Sequence, residues 1–193
     1  MKKFIFGALV SLLALNVNAA LINIYESNSS ISSIAQSQAV IDGASSADTS
    51  IDSNNIFFDD RDLYGADAFP DSHNTTFVLT ATGMLDTSIY SALSFYHDDG
   101  MTVSLGGNSL YTYDGNTGYR YSELLTIADT GMTSFDLLFW ENYGGATLLT
   151  YGTLRSTGVT EVANIITVPA PAPLALLGLA LMGFAVSRRK AKK

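Results

Sequence analysis

The chain of 193 residues has no cysteine. A disulfide scaffold, a thiolate metal site, a cysteine nucleophile and CxxC redox chemistry are thereby excluded. Its two histidines, His73 and His97, are too few for a multi-histidine zinc or iron site. Cations are scarce too. Away from the termini, three arginines (Arg61, Arg120 and Arg155) stand against all 18 acids, so the body carries −15 where the whole chain carries −8. A body that acidic repels phosphates, which rules out nucleic acid as a partner and suits divalent cations or neutral sugars. No GxSxG, HExxH or Walker-type run is present. Carboxylate pairs of the glycosidase kind are available among the acids, but acids of an exported domain are mostly solvated surface groups. The expectation is a protein that is not an enzyme.

Positive charge sits at the two ends. Lys2 and Lys3 precede an apolar run over residues 4–15, and Val17-Asn18-Ala19 sets up a cut before Ala20. Residues 1–19 read as a secretory signal peptide, the substrate of signal peptidase; so short a run does not cross a bilayer core of about 30 Å. At the other end come Val168-Pro169-Ala170-Pro171-Ala172-Pro173, an apolar stretch over 174–186, and a basic end with Arg188, Arg189 and three lysines. The prolines make a stiff spacer, the apolar stretch reads as a transmembrane helix, and the basic end stays cytoplasmic. The order of these parts over residues 168–193 resembles the PEP-CTERM sorting signal of Gram-negative bacteria, with Val-Pro-Ala-Pro in place of Val-Pro-Glu-Pro. The resemblance implies transient anchoring in the inner membrane and an exosortase-type processing enzyme as partner. Val168, Pro169, Ala170, Pro171, Arg188 and Arg189 would be the sorting motif. The body would pass to the cell surface or the extracellular polysaccharide matrix.

Residues 20–167 form one extracellular domain. Gly, Ser, Thr, Asn and Asp punctuate it, no stretch sustains a 3.6-residue apolar period, and several show period two. Phe77, Leu79 and Ala81 alternate with polar partners, as do Met101, Val103 and Leu105. Tyr111-Thr112-Tyr113 and Tyr119-Arg120-Tyr121 flank Asp114-Gly115-Asn116-Thr117-Gly118, which reads as a hairpin. Residues 27–53 read as one helix or as an extended edge with loops. The class is all-β, a sandwich or a partly closed barrel.

One segment carries candidate chemistry, His97-Asp98-Asp99-Gly100. Asp-Gly is a common turn dipeptide, so a plain hairpin turn is one reading. Two other blocks suggest more: Phe77 to Leu85 upstream, and Trp140-Glu141-Asn142-Tyr143-Gly144-Gly145-Ala146 downstream. In order and spacing the three blocks, over residues 69–154, resemble the protective-antigen-type lectin-like β-sandwich or barrel. His97 replaces a serine of that pattern, and Leu105-Gly106-Gly107-Asn108 stands where Ile-Asp-Gly would be. The resemblance implies a Ca²⁺ site with Asp98, Asp99 and Asn142 as metal ligands, the two aspartates joined by a cis peptide. Tyr143 and the carbonyls near Gly144 and Ala146 would line the ligand, and the ion would coordinate sugar hydroxyls. The chemistry agrees, since Ca²⁺ takes hard oxygen donors and adjacent carboxylates repel without a cation. Tyr111, Tyr113, Tyr119, Tyr121, Trp140 and Tyr143 read either as a stacking face for sugar rings or as cross-strand pairs that stabilise the sheet. The expected function is a surface or matrix protein that binds polysaccharide; the alternative is a structural matrix component without a specific ligand.

Overall fold

The computed structural model describes residues 20–59 and 76–165. The signal peptide, the Pro motif, the apolar stretch 174–186 and the basic end lie outside the described residues. So does the 60–75 connection. Among the described residues no helix is long and apolar enough to cross a membrane.

The elements run β1 (Ala20–Ser27), α1 (Ile34–Gly43), β2 (Thr49–Ser53), β3 (Phe57–Asp59), β4 (Thr76–Asp86), β5 (Tyr90–His97), β6 (Met101–Leu105), β7 (Asn108–Tyr113), β8 (Arg120–Tyr121), β9 (Leu125–Thr126), β10 (Met132–Asn142), β11 (Thr147–Leu154) and β12 (Thr160–Val162). They form two sheets. The first has the order β2-β1-β4-β10-β6-β7; the second has β12-β11-β5-β8, with β3 also on β11 and β9 on β5. The architecture is a β-sandwich, which decides between the two all-β readings.

Period-two alternation places the core as the sequence suggests. Phe77, Leu79, Ala81, Met101 and Val103 are buried between the sheets with Phe95, Phe135, Phe139 and Leu148. β4 and β10 pair over their whole length, from Met132 opposite Asp86 to Asn142 opposite Thr76. Their other face is buried as well. Val78 and Trp140 form a second cluster with Ile31, against which Ile34, Val40 and Ile41 of α1 pack.

That helix is where the 3.6-residue period escapes notice. Its inward face runs Ile34, Ser37, Val40 and Ile41, and the buried Ser37 interrupts the apolar stripe. Ser37 is tolerated there because its hydroxyl donates to the Ser33 carbonyl at 3.1 Å. Ser33 caps the helix by accepting the Gln36 N–H.

Two expected hairpins are absent. β7 lies in the first sheet on β6, whereas β8 lies in the second on β5. The tyrosine-flanked loop therefore crosses between sheets. Likewise Asp98-Asp99-Gly100 joins β5 of the second sheet to β6 of the first, and residues 143–146 join β10 to β11. Local turn chemistry could not tell a crossover from a hairpin, because the partner of each strand is chosen by burial of its apolar face.

Candidate functional site

The three crossovers meet at one end of the sandwich, and the two aspartates tie them together. The Asp98 N–H donates to the Thr147 carbonyl at 3.2 Å, and the Thr147 N–H donates back to Asp98 Oδ1 at 2.8 Å. The Asp99 N–H donates to the Thr117 carbonyl at 3.1 Å, and the Thr117 N–H returns to Asp99 Oδ1 at 3.0 Å. Asp99 Oδ2 accepts the Asn142 N–H at 2.6 Å. Thus Asp98 holds the start of β11, and Asp99 holds the other two loops.

The turn between them departs from the resemblance. No cis peptide occurs among the described residues, so the Asp98–Asp99 bond is trans. The chain reverses instead through Asp99, whose φ is 42°. Tyr143 is the other described non-glycine residue with positive φ, at 83°. A side chain in that region costs on the order of 1–3 kcal/mol and is kept only where the surroundings hold it. Both such residues border the same cleft.

Gly100 serves a different purpose from a turn glycine. A Cβ there would stand 1.8 Å from the Trp140 ring. The Trp140 N–H donates to the Gly100 carbonyl at 3.0 Å, and its indole N–H donates to Asn116 Oδ1 at 3.1 Å. Trp140 is fully buried, so the stacking face imagined from the sequence does not include it. Tyr111 and Tyr113 are also spoken for. Tyr111 meets His97 Nε2 at 2.9 Å, and Tyr113 lies under the Arg120 guanidinium at 4.5 Å.

His97 is the pivot of the turn. It is fully buried, with Nδ1 at 2.9 Å from the Asp99 carbonyl. A carbonyl only accepts, so Nδ1 carries the proton and Nε2 accepts from the Tyr111 hydroxyl. Burial, which disfavours the charged imidazolium, holds its pKa below the ordinary 6.5.

The electrostatics are those of crowded acids. Burial raises the Asp98 carboxyl from an ordinary 3.8 to about 7, and the Asp99 charge adds to the rise. The Thr147 N–H and a side-chain hydrogen bond with Glu141 work against it. Burial also raises Asp99, against the N–H groups of Asn142 and Thr117.

The expected site residues are brought together unevenly. Asp98, Asp99, Asn142, Tyr143 and Gly144 line one cleft of about 270 Å³. Tyr143 is 75% exposed at its rim. Ala146 turns its methyl into the core, leaving its carbonyl as the group that can face the loop. The Asn142 amide oxygen accepts from Ser30 Oγ at 2.7 Å and from the Ile31 N–H at 2.9 Å. It thereby pins the segment that leads into α1. Sequence reasoning missed Thr117, Thr147, Glu141 and Ser30, all of which act through the backbone or through pairing across more than twenty residues. Val168, Pro169, Ala170, Pro171, Arg188 and Arg189 lie outside the described residues.

Among the described residues, no three His, Asp or Glu side chains form a ready metal cage. A carboxylate has about four lone-pair sites. The N–H groups named above use two on Asp99 and one on Asp98, so acceptor capacity remains toward the cleft. An ion here would draw on these two acids and on neutral oxygens. The acids fit that role; the Asn142 amide oxygen would do so only in exchange for bonds it already makes.

Residues 167–190 match the PEP-CTERM protein-sorting motif. No curated protein matches the chain in sequence. Among solved structures, the chain is similar to the PA14 domain of the antifreeze protein MpAFP, at 18% identity and TM-score 0.65, covering 80% of this chain and 93% of that one. It is similar to a PA14 sugar-binding domain from an RTX adhesin, at 20% identity and TM-score 0.63, covering 79% and 99%. It also resembles the Epithelial Adhesin 9 A domain from Candida glabrata in complex with Galb1-4GlcNAc, at 9% identity and TM-score 0.54, covering 82% and 94%. The chain thus joins a PA14-like β-sandwich to a C-terminal PEP-CTERM signal for export and sorting.

Proposed function

We propose that this is a non-catalytic binding protein, displayed at the surface or in the matrix of a Gram-negative bacterium, whose cleft recognises polysaccharide with the help of Ca²⁺. Signal peptidase would remove residues 1–19, and an exosortase-type enzyme would act at the Pro motif after transient anchoring in the inner membrane. The observation that carries the reading is the crowding of buried Asp98 and Asp99 beneath a strained, exposed Tyr143. The sugar-binding and adhesin relatives lend it support.

Asp98 and Asp99 would hold the ion, with Asn142 and the carbonyls of Gly144 and Ala146 as the neutral donors. When bound, Ca²⁺ supplies a positive centre that sugar hydroxyls coordinate and that offsets the acids. His97 fixes the Asp99 carbonyl, Thr147 and Thr117 fix the carboxylates, and Tyr143 offers its ring at the rim.

Calorimetric titration with Ca²⁺, paired with melting curves in Ca²⁺ and in chelator, tests this. One site and a melting point raised by Ca²⁺ are expected. Asp98→Ala should abolish both and also any Ca²⁺-dependent retention on a glycan array. Unchanged Ca²⁺-dependent glycan retention in that variant would sink the reading.

The engaged Asn142 amide favours a second reading. If neither heat nor a melting shift is seen, the aspartates are structural ties between crossovers, and the domain is a matrix component without a specific ligand.

A further inference from the structure

The outer faces of the two sheets are dressed differently. That of the first is packed by α1 over Val78 and Trp140. On the second, alternation in β5 and β11 sends Phe95 and Leu148 into the core and turns Tyr96, Leu149 and Tyr151 to the outer face, where they line a cleft of about 360 Å³ with Tyr121, Leu149 being itself buried. Register aligns them. Tyr96 stands opposite Leu149 on one side and Tyr121 on the other, and Phe57 stands opposite Leu149 from β3. Crossing β3, β11, β5 and β8 takes three interstrand steps, or about 14 Å at the usual spacing.

The rings are ordered against one another. Tyr96 and Tyr119 are stacked with centroids 6.2 Å apart and planes 21° apart. Phe57 meets Tyr151 edge-on at 6.1 Å. Tyr121 is anchored by a 2.8 Å hydrogen bond between its hydroxyl and Ser94 Oγ. Even so, Phe57 is 44% exposed, Tyr119 48% and Tyr121 55%. Clusters of exposed aromatics on a secreted domain mark an interaction surface. Arg120, next to Tyr121, turns the other way, over Tyr113.

A surface of rings edged by hydroxyls, on a body of charge −15, repels polyanions and offers π faces to the C–H faces of neutral pyranoses. Its width suits several consecutive sugar rings. It is also continuous with the acid cleft, because Tyr119, stacked on Tyr96, lines that cleft too. We propose that the outer face of the second sheet is a separate, calcium-independent platform for a neutral polysaccharide chain, which Phe57, Tyr96, Tyr121 and Tyr151 bind by stacking. The platform goes beyond the calcium reading and stands without it.

Affinity electrophoresis of the protein through gels cast with hydroxyethylcellulose, glucomannan or the polyanion alginate, each in EDTA and in Ca²⁺, tests the proposal. Retardation in EDTA by at least one neutral polymer, and none by alginate, is expected. The double variant Phe57→Ala, Tyr121→Ala should weaken it by about tenfold or more, equivalent to at least ~1.4 kcal/mol. Both positions are exposed, and unchanged melting points confirm that this variant folds. Tyr121→Phe keeps the ring and should bind as the parent does. Asp98→Asn should leave retardation in EDTA intact, which separates this site from the cleft. Full retardation of the double variant, its loss in Asp98→Asn, or no retardation by either neutral polymer would overturn the platform. A larger species in size-exclusion chromatography that the double variant converts to a smaller one would assign the face to contacts between copies instead, and also overturn it.

Discussion

At the scale of residues, Gly100 and Asp99 divide a task that one glycine performs in an ordinary turn. Asp99 takes the left-handed backbone, and Gly100 makes room for the Trp140 ring. Gly100→Ala should therefore act as overpacking of a filled core and cost about 3 kcal/mol. Gly115→Ala, whose Cβ would meet nothing within 4 Å, is the matched control and should be near neutral. Denaturant midpoints compare the two; equal losses would show that Trp140 yields to the added methyl. Little of this could be read from sequence. Asp98-Asp99-Gly100 announces a turn of some kind, but the ring that presses on Gly100 comes from forty residues further on, in a strand whose partner the local pattern does not name.

At the scale of elements, strands whose outward positions are mostly polar were legible and elements without that contrast were not. Phe77-Leu79-Ala81 and Met101-Val103 alternate because β4 and β6 each turn one face to the core. β10 hides from period counting, since its odd residues enter the main core and Trp140 enters the second cluster. α1 hides for the opposite reason, with Ser37 in the middle of its inward face. The Tyr111–Tyr121 segment misled because a Gly- and Asn-rich loop between tyrosine pairs fits a hairpin and a crossover equally. The candidate residues Asp98 and Asp99 stand out in the sequence as a pair, but His97 as their buried pivot does not. A helix with so little apolar surface leans on its cap. Ser33→Ala removes the acceptor for the Gln36 N–H and should cost about 1 kcal/mol, read as earlier hydrogen exchange across α1 than across β4. Uniform change across both would mean that the helix does not open separately.

At the scale of the whole molecule, acid crowding gives stability a pH dependence with a definite sign. Asp98 has a folded-state pKa raised from 3.8 to about 7, so folding favours its protonated form. That stabilisation is full below about pH 4 and is lost as pH rises toward 7. His97, lowered from 6.5 by burial, acts oppositely, its contribution fading as pH falls below its ordinary value. The parent's own profile mixes the two, and Asp98→Asn isolates the first. The asparagine keeps an oxygen for the Thr147 N–H and carries no charge. In chelator the variant and the parent should melt alike near pH 4, and the variant should melt several degrees higher at pH 8. Coincident curves at pH 8 would mean that the buried acid is already offset.

The ties that build the cleft join distant parts of the chain. Asp99 reaches Thr117 and Asn142, which lie 18 and 43 residues away, and Asn142 reaches Ser30 across 112. Contacts of that separation repay their loop-closure entropy only after the intervening strands have paired. The cleft is thus among the last features to assemble, and it has no precursor in a half-folded chain. Under the proposed function, binding capacity would therefore be all-or-none: an unfinished molecule would not compete with a finished one for ligand, and ligand engaging the cleft would report that both sheets have closed.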